Sequence, residues 1–117
     1  MTIQDFYSAI DGEYTEILAR LANEDRIRRF LKKMLETGDM EALKEAWEKK
    51  SSAEIFSYSH RLKGIAQNLS LSRFEALTSS LTEAFRNGPA QDMDAAAENY
   101  TALCNEYETI AALISQL

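Results

Sequence analysis

The stretch FSYSHRLKGIAQNLS, Phe56 to Ser70, holds the only histidine of the chain, with Lys63 and Gly64 close behind it. An imidazole acts as a general base, a metal ligand or a nucleophile, and each role needs its own partners. A hydrolytic triad needs a second nucleophile and an orienting carboxylate. Ser57 and Ser59 are near His60 in sequence, but the apolar period puts Ser59 on a core stripe and turns Ser57 elsewhere. A metal site needs several converging ligands, and the face of His60 carries no carboxylate or cysteine. No Gly-rich phosphate loop appears, so the chain has no ATP site of its own. What the face holds is a histidine with a cation beside it, which is either a surface histidine with no role or part of a reactive site. Lys63, three residues on, lies within reach of the outer edge of the ring and favours an anion held there. Gly64 sits mid-helix, where it costs about 1 kcal/mol relative to alanine. Such a glycine implies close approach to the backbone, by another helix of the fold or by something outside it. Each residue alone reads as an ordinary surface side chain. Their combination on one exposed face favours a reactive site.

The elements that carry this face are helical. Ile55, Ser59, Leu62, Ala66 and Leu69 recur in steps of four and three, so the helix buries them and turns Phe56, His60, Lys63, Gly64 and Gln67 outward. SSAE, from Ser51, reads as a capping box opening this helix, and SRFE, from Ser72, as a second one opening the next. That next helix turns Phe74, Leu77, Leu81 and Phe85 inward and stops at Asn87-Gly88-Pro89. The remainder, to Leu117, is one long helix with Met93, Ala97, Tyr100, Leu103, Cys104, Tyr107, Ile110 and Ile114 on its apolar side. Upstream, helices are predicted over Thr2–Ile10 and Glu13–Ala22. After an Asn23 cap comes EDRIRRFLKKMLE, burying Ile27, Phe30, Leu31, Met34 and Leu35. Asp39 is the predicted cap of MEALKEAWEKK, whose stripe is Met40, Leu43, Ala46 and Trp47. Four longer helices with short connections predict an all-α antiparallel four-helix bundle, with short additional helices at the N-terminus.

Composition agrees. The chain has 117 residues, 45% of them hydrophobic, enough for one domain over residues 1–117 with its own core. Only four glycines and one proline leave too few turns for a sandwich or barrel. A net charge of −6 argues against nucleic acid. No basic amphipathic helix suited to an anionic membrane is read from the sequence, and no apolar run is long enough to span a bilayer. The N-terminus lacks the n-region and h-region of a leader, and the single Cys104 reads as a core residue, so a cytoplasmic location is expected.

SHRLKGIAQNLSLSRFEAL resembles the signature of histidine-containing phosphotransfer (HPt) domains, which place a small residue before His-x-Leu-Lys-Gly, then small residues, a leucine and a glycine. The matching residues are Ser59, His60, Leu62, Lys63, Gly64, Ala66 and Leu69. GDMEALKEAW before the motif and LTEAFRNG after it look like the flanking helices of bacterial single-domain HPt proteins. The resemblance runs from about Asp11 to Gly88, followed by a final helix of the expected type. It implies that His60 accepts a phosphoryl group from a receiver-domain aspartate and passes it to, or back to, another response-regulator receiver. It implies that Lys63 offsets the phosphoryl charge and that Gly64 lets the receiver come close. No cofactor is expected on this chain, with Mg²⁺ held by the receiver. Receiver domains are the expected partners, together with a hybrid histidine kinase, and the carrier is expected to be a monomer without turnover of its own.

The chain departs from this pattern at Ser70, where a glycine is usual, and at Gln67, a position often small. Gln67 is either a hydrogen-bonding partner of the phosphoryl group or an ordinary surface residue. Arg61 is either a contact for an acidic receiver or a solvated charge. Phe56 is an apolar anchor for docking or half-buried against a neighbouring helix. Two other readings compete with the carrier. One is a degenerate HPt-like adaptor that binds a receiver without accepting phosphate. The other is a plain helical scaffold, with no phosphohistidine and an apolar patch unrelated to His60.

Overall fold

The computed structural model describes residues 1–117. Seven helices follow one another: α1 (Ile3–Ala9), α2 (Tyr14–Leu21), α3 (Glu24–Met34), α4 (Asp39–Glu48), α5 (Ser52–Asn68), α6 (Ser72–Ala84) and α7 (Met93–Ile114). No strand interrupts them, and the molecule measures 41 × 21 × 19 Å. Helix α5 packs between α4 and α6, and α7 packs on α6. Trp47 of α4 stacks on Tyr100 of α7, ring centroids 4.2 Å apart, which closes the four helices into a ring. The three-residue links on either side of α5 leave packed neighbours no option but to run antiparallel.

The α5–α6 seam is built from small hydroxyl residues. Ser59 and Thr82 are fully buried, and their hydroxyl oxygens lie 3.1 Å apart. The Ser59 hydroxyl also donates to the Ile55 carbonyl at 2.7 Å, and Thr82 to the Thr78 carbonyl at 2.7 Å. Every polar atom of the seam thus has a partner, and the short side chains allow the helices to approach closely. Because Ser59 faces inward, the next residue, His60, points about 100° away.

The carbonyls at the C-terminus of α5 have no partner within their own helix. Helices α1 and α2 supply partners. The Tyr7 hydroxyl donates to the Leu69 carbonyl at 2.7 Å, and Arg20 donates to those of Gln67 and Asn68 at 3.3 and 2.6 Å. Ser70 follows with φ +55°, in the left-handed region where glycine is the comfortable residue. Its hydroxyl donates to Glu16 at 2.6 Å and accepts from Arg20 at 3.2 Å. Those two bonds offset the conformational penalty of a serine at this position. Together with Arg20 they hold the Glu16 carboxyl below the usual carboxylate range.

Local details depart from the sequence expectations. Ser51 does cap α5, accepting from the Glu54 amide at 3.4 Å. Ser72 caps nothing: Leu71 is the N-cap of α6, and Ser72 is its first helical residue. Gly38, at φ +76°, is the N-cap of α4, and Asp39 is drawn inside as the first helical residue. The reason is an ion pair, since buried Asp39 meets Arg61 of α5 at 3.2 Å. Helix α7 is turned slightly from its expected face, with Ala96 and Glu106 buried while Met93 is 47% exposed. Phe30 is 46% exposed, because α3 buries Ile27, Leu31 and Met34 and has no second wall for a ring at position 30.

Gly12 is where a missing side chain is structurally required. A Cβ there would meet the Tyr7 ring at 2.5 Å and the Ser70 carbonyl oxygen at 3.0 Å. Gly12→Ala is therefore expected to destabilise the fold by about 1–3 kcal/mol, the usual range for overpacking. Urea unfolding followed by circular dichroism checks this.

Candidate functional site

His60 lies on the exposed face of α5, eight residues before its last helical residue. Neither of its ring nitrogens hydrogen-bonds within the chain. Its orientation comes from stacking. The Phe56 ring, one turn earlier, lies nearly parallel to the imidazole, at 7° with centroids 6.0 Å apart. The Arg86 guanidinium sits over the Phe56 ring at 5.2 Å. Arg86 is held in turn by Glu83, through bonds of 3.1 and 2.6 Å. Guanidinium, phenyl and imidazole thus form one brace running from the turn that follows α6 to α5.

Lys63 is half-buried one turn beyond His60 and close enough to Glu83 to act on it electrostatically. Gly64 is half-buried, yet a Cβ added there would meet nothing within 4 Å. No helix of this chain packs on Gly64, and the space beside it is open. Gln67 is exposed one further turn along the same face. Arg61 is 60% exposed, and its guanidinium already pairs with Asp39. The face therefore brings together Phe56, His60, Lys63, Gly64 and Gln67, while Arg61 leans towards α4.

Two residues at this site escaped the sequence reading, Arg86 and Glu83. The only sequence signal was their i, i+3 spacing, which is common on helix surfaces. Nothing in the sequence indicated that they sit over Phe56.

The family model of the Hpt domain matches residues 25–116, from the first turn of α3 almost to the end of the chain. The chain belongs to the Hpt-domain family. Hpt domains carry phosphoryl groups on histidine in two-component phosphorelays, work with receiver domains and histidine kinases, and have no ATP site of their own. In this Hpt domain α1 and α2, which satisfy the end of α5, precede the matched region. No curated protein and no solved structure matches the chain. No helix of this Hpt domain is long and apolar enough to cross a membrane.

Hydrogen bonds from Arg86, with Lys63 adding to them, hold the Glu83 carboxyl below the usual carboxylate range. A depressed carboxylate stabilises the folded state above its unfolded titration range, and that contribution is lost as pH falls through the depressed value. Arg86→Gln is expected to raise the Glu83 titration towards the ordinary range and to shift the His60 ring resonances, with the fold intact. Carboxyl-detected and imidazole-detected NMR titrations check both effects.

Proposed function

We propose that this Hpt domain is a phosphorelay carrier that accepts a phosphoryl group on His60 from a receiver-domain aspartate and delivers it to, or returns it to, a response-regulator receiver. The observation that carries the reading is an exposed imidazole with both nitrogens unengaged, held in place by stacking rather than by polar bonds. Its lone pair is free for phosphorus. In the transfer, a ring nitrogen attacks the phosphorus of the aspartyl phosphate, an N–P bond forms, and the P–O bond to the carboxylate breaks. The aspartate leaves as the carboxylate, and the ring's single N–H proton, on the nitrogen that did not attack, passes to solvent. Little covalent chemistry is asked of the protein, so positioning and charge neutralisation do most of the work.

Each neighbour then has a role. Lys63 faces the charge gained by the ring. The open space over Gly64 admits the receiver, which brings Mg²⁺ and the acidic pocket. Phe56 and Gln67 flank the contact, and Arg61 keeps donors free at its edge. The adaptor reading is weaker, because an adaptor has no use for an imidazole braced with its nitrogens free. A cytoplasmic, monomeric carrier is the form this reading takes.

His60→Ala is expected to abolish acid-labile, base-stable phosphate on the chain when the protein is mixed with phosphorylated receivers and Mg²⁺. Label that persists in the variant would overturn the assignment. Gly64→Gln is expected to leave stability unchanged or to raise it by up to about 1 kcal/mol, since glutamine is the better helix former and its Cβ meets nothing. Transfer from receivers should nevertheless slow by about tenfold or more, the kinetic equivalent of roughly 1.4 kcal/mol. Rapid-quench phosphotransfer beside thermal unfolding checks the pair.

A further inference from the structure

The apolar stripe of α7 opens with Met93 and Ala97, yet the fold leaves both exposed. They are not scattered. With Trp47 of α4 they wall a concavity of about 610 Å³. Its floor is Ile55 of α5 and Phe85 at the end of α6, both buried. The apolar faces of all four bundle helices thus converge where α5 begins, and no element of the chain covers them. The other end of α5 is closed. Helix α1 packs there, with Phe6 and Tyr7 fully buried and the Tyr7 hydroxyl on the Leu69 carbonyl.

Lys50 is the one charged residue that lines this groove, and it forms no ion pair within the chain. It is exposed, directly after the C-cap of α4, with φ +56°. A glycine would take that turn with less strain, so the backbone does not ask for a lysine. Ser70, in the same conformation, offsets its strain through two hydroxyl bonds. Lys50 has no comparable bond, and a strained residue with a free polar side chain points to a use for that side chain. A concavity of this volume, with apolar walls and one polar group at its mouth, has the form of a small-molecule site.

We propose that this groove binds an amphiphilic anion, with its apolar body on Trp47, Phe85 and Met93 and its anionic head on the Lys50 ammonium. Charge complementarity selects the head, since the groove offers a cation and no carboxylate. The occupant bears on the histidine site as well. Ile55 and Phe85 immediately precede Phe56 and Arg86, so a bound apolar body presses on the backbone that carries the brace. Only an effect on phosphotransfer rests on the carrier reading of His60. The groove itself does not.

Trp47 is the only tryptophan of the chain, so its fluorescence reads the groove directly. The probe is decanoate, kept below its micelle concentration and titrated into the full chain. A saturable change in Trp47 emission is expected, with NMR shifts gathered at Lys50, Met93 and Ala97 and carried to the Phe56 and His60 rings. Decyltrimethylammonium, with the same chain length and a cationic head, should bind about tenfold more weakly, and acetate should change nothing. Lys50→Gly should weaken decanoate binding by about tenfold or more, roughly 1.4 kcal/mol. The same variant should keep or raise the urea midpoint, because glycine relieves the left-handed turn. Met93→Ser should weaken binding by about fivefold through lost apolar contact. Both positions are exposed, and circular dichroism confirms that the variants fold. His60→Ala should bind decanoate as the unmodified chain does, so a failed phosphotransfer assay leaves this result standing. No saturable change, equal binding of the two amphiphiles, the same response to acetate, or a dimer in sedimentation that decanoate takes apart would overturn the proposal. Shifts that stop short of Phe56 and the His60 ring would overturn its link to the brace.

Discussion

The buried contact between Ser59 and Thr82 decides where everything else at the site lies. Two hydroxyls 3.1 Å apart, both without solvent exposure, fix how closely α5 and α6 approach and how α5 is rotated. With Ser59 held inward, His60 has one direction left, towards solvent. The same close approach brings the turn that follows α6 near enough for Arg86 to reach across to Phe56. A bulkier apolar pair would spread the seam and loosen the brace behind the imidazole. A small polar pair keeps the helices close, provided each hydroxyl finds an acceptor, and the Ile55 and Thr78 carbonyls supply them.

The far end of α5 is held by different means. The Gln67 carbonyl accepts from the Ser70 amide as well as from Arg20, while those of Asn68 and Leu69 are satisfied from α2 and α1 by Arg20 and Tyr7. Ser70 takes the left-handed turn that a glycine would take with less strain, and Glu16 and Arg20 hold its hydroxyl there. The serine and the two N-terminal helices form one solution, because without Glu16 the serine would have strain and no compensation. The helix that carries His60 is thus clamped along its flank by the hydroxyl seam and at its end by this network. A histidine presented without polar bonds of its own needs such a rigid support.

The all-α architecture and the outward face of α5 were legible because both depend on period. Ile55, Ser59, Leu62 and Ala66 are buried where their spacing put them, and His60 is exposed where it should be. Cap positions were less legible. Ser72 and Asp39 have good capping side chains, but Leu71 and Gly38 take the cap positions, since the pull of Arg61 on Asp39 is a tertiary effect invisible to local pattern. Phe30 was misplaced for a related reason. An aromatic residue beside a buried stripe looks like core unless it is known that no neighbour covers it. The stacking of Arg86 on Phe56 joins residues far apart in sequence, and no periodicity reports such a contact. The reading that no helix is both basic and amphipathic fails at α3, where Arg26, Arg28, Arg29, Lys32 and Lys33 surround a buried stripe of Ile27, Leu31 and Met34; the run was legible in the sequence, and the acidic net charge drew attention from it.

The most direct test of the central claim uses phosphoramidate, a small phosphoryl donor, on the ¹⁵N-labelled protein, with the histidine ring read by long-range ¹H–¹⁵N correlation and phosphorus NMR. No receiver is needed, so the reactivity of the braced imidazole is seen by itself. The account predicts one phosphoramidate resonance coupled to a ring nitrogen of His60, with shift changes confined to Phe56, Lys63, Gly64 and the Arg86 side chain. An unmodified His60 ring after such treatment, or phosphate found on another side chain, would contradict it.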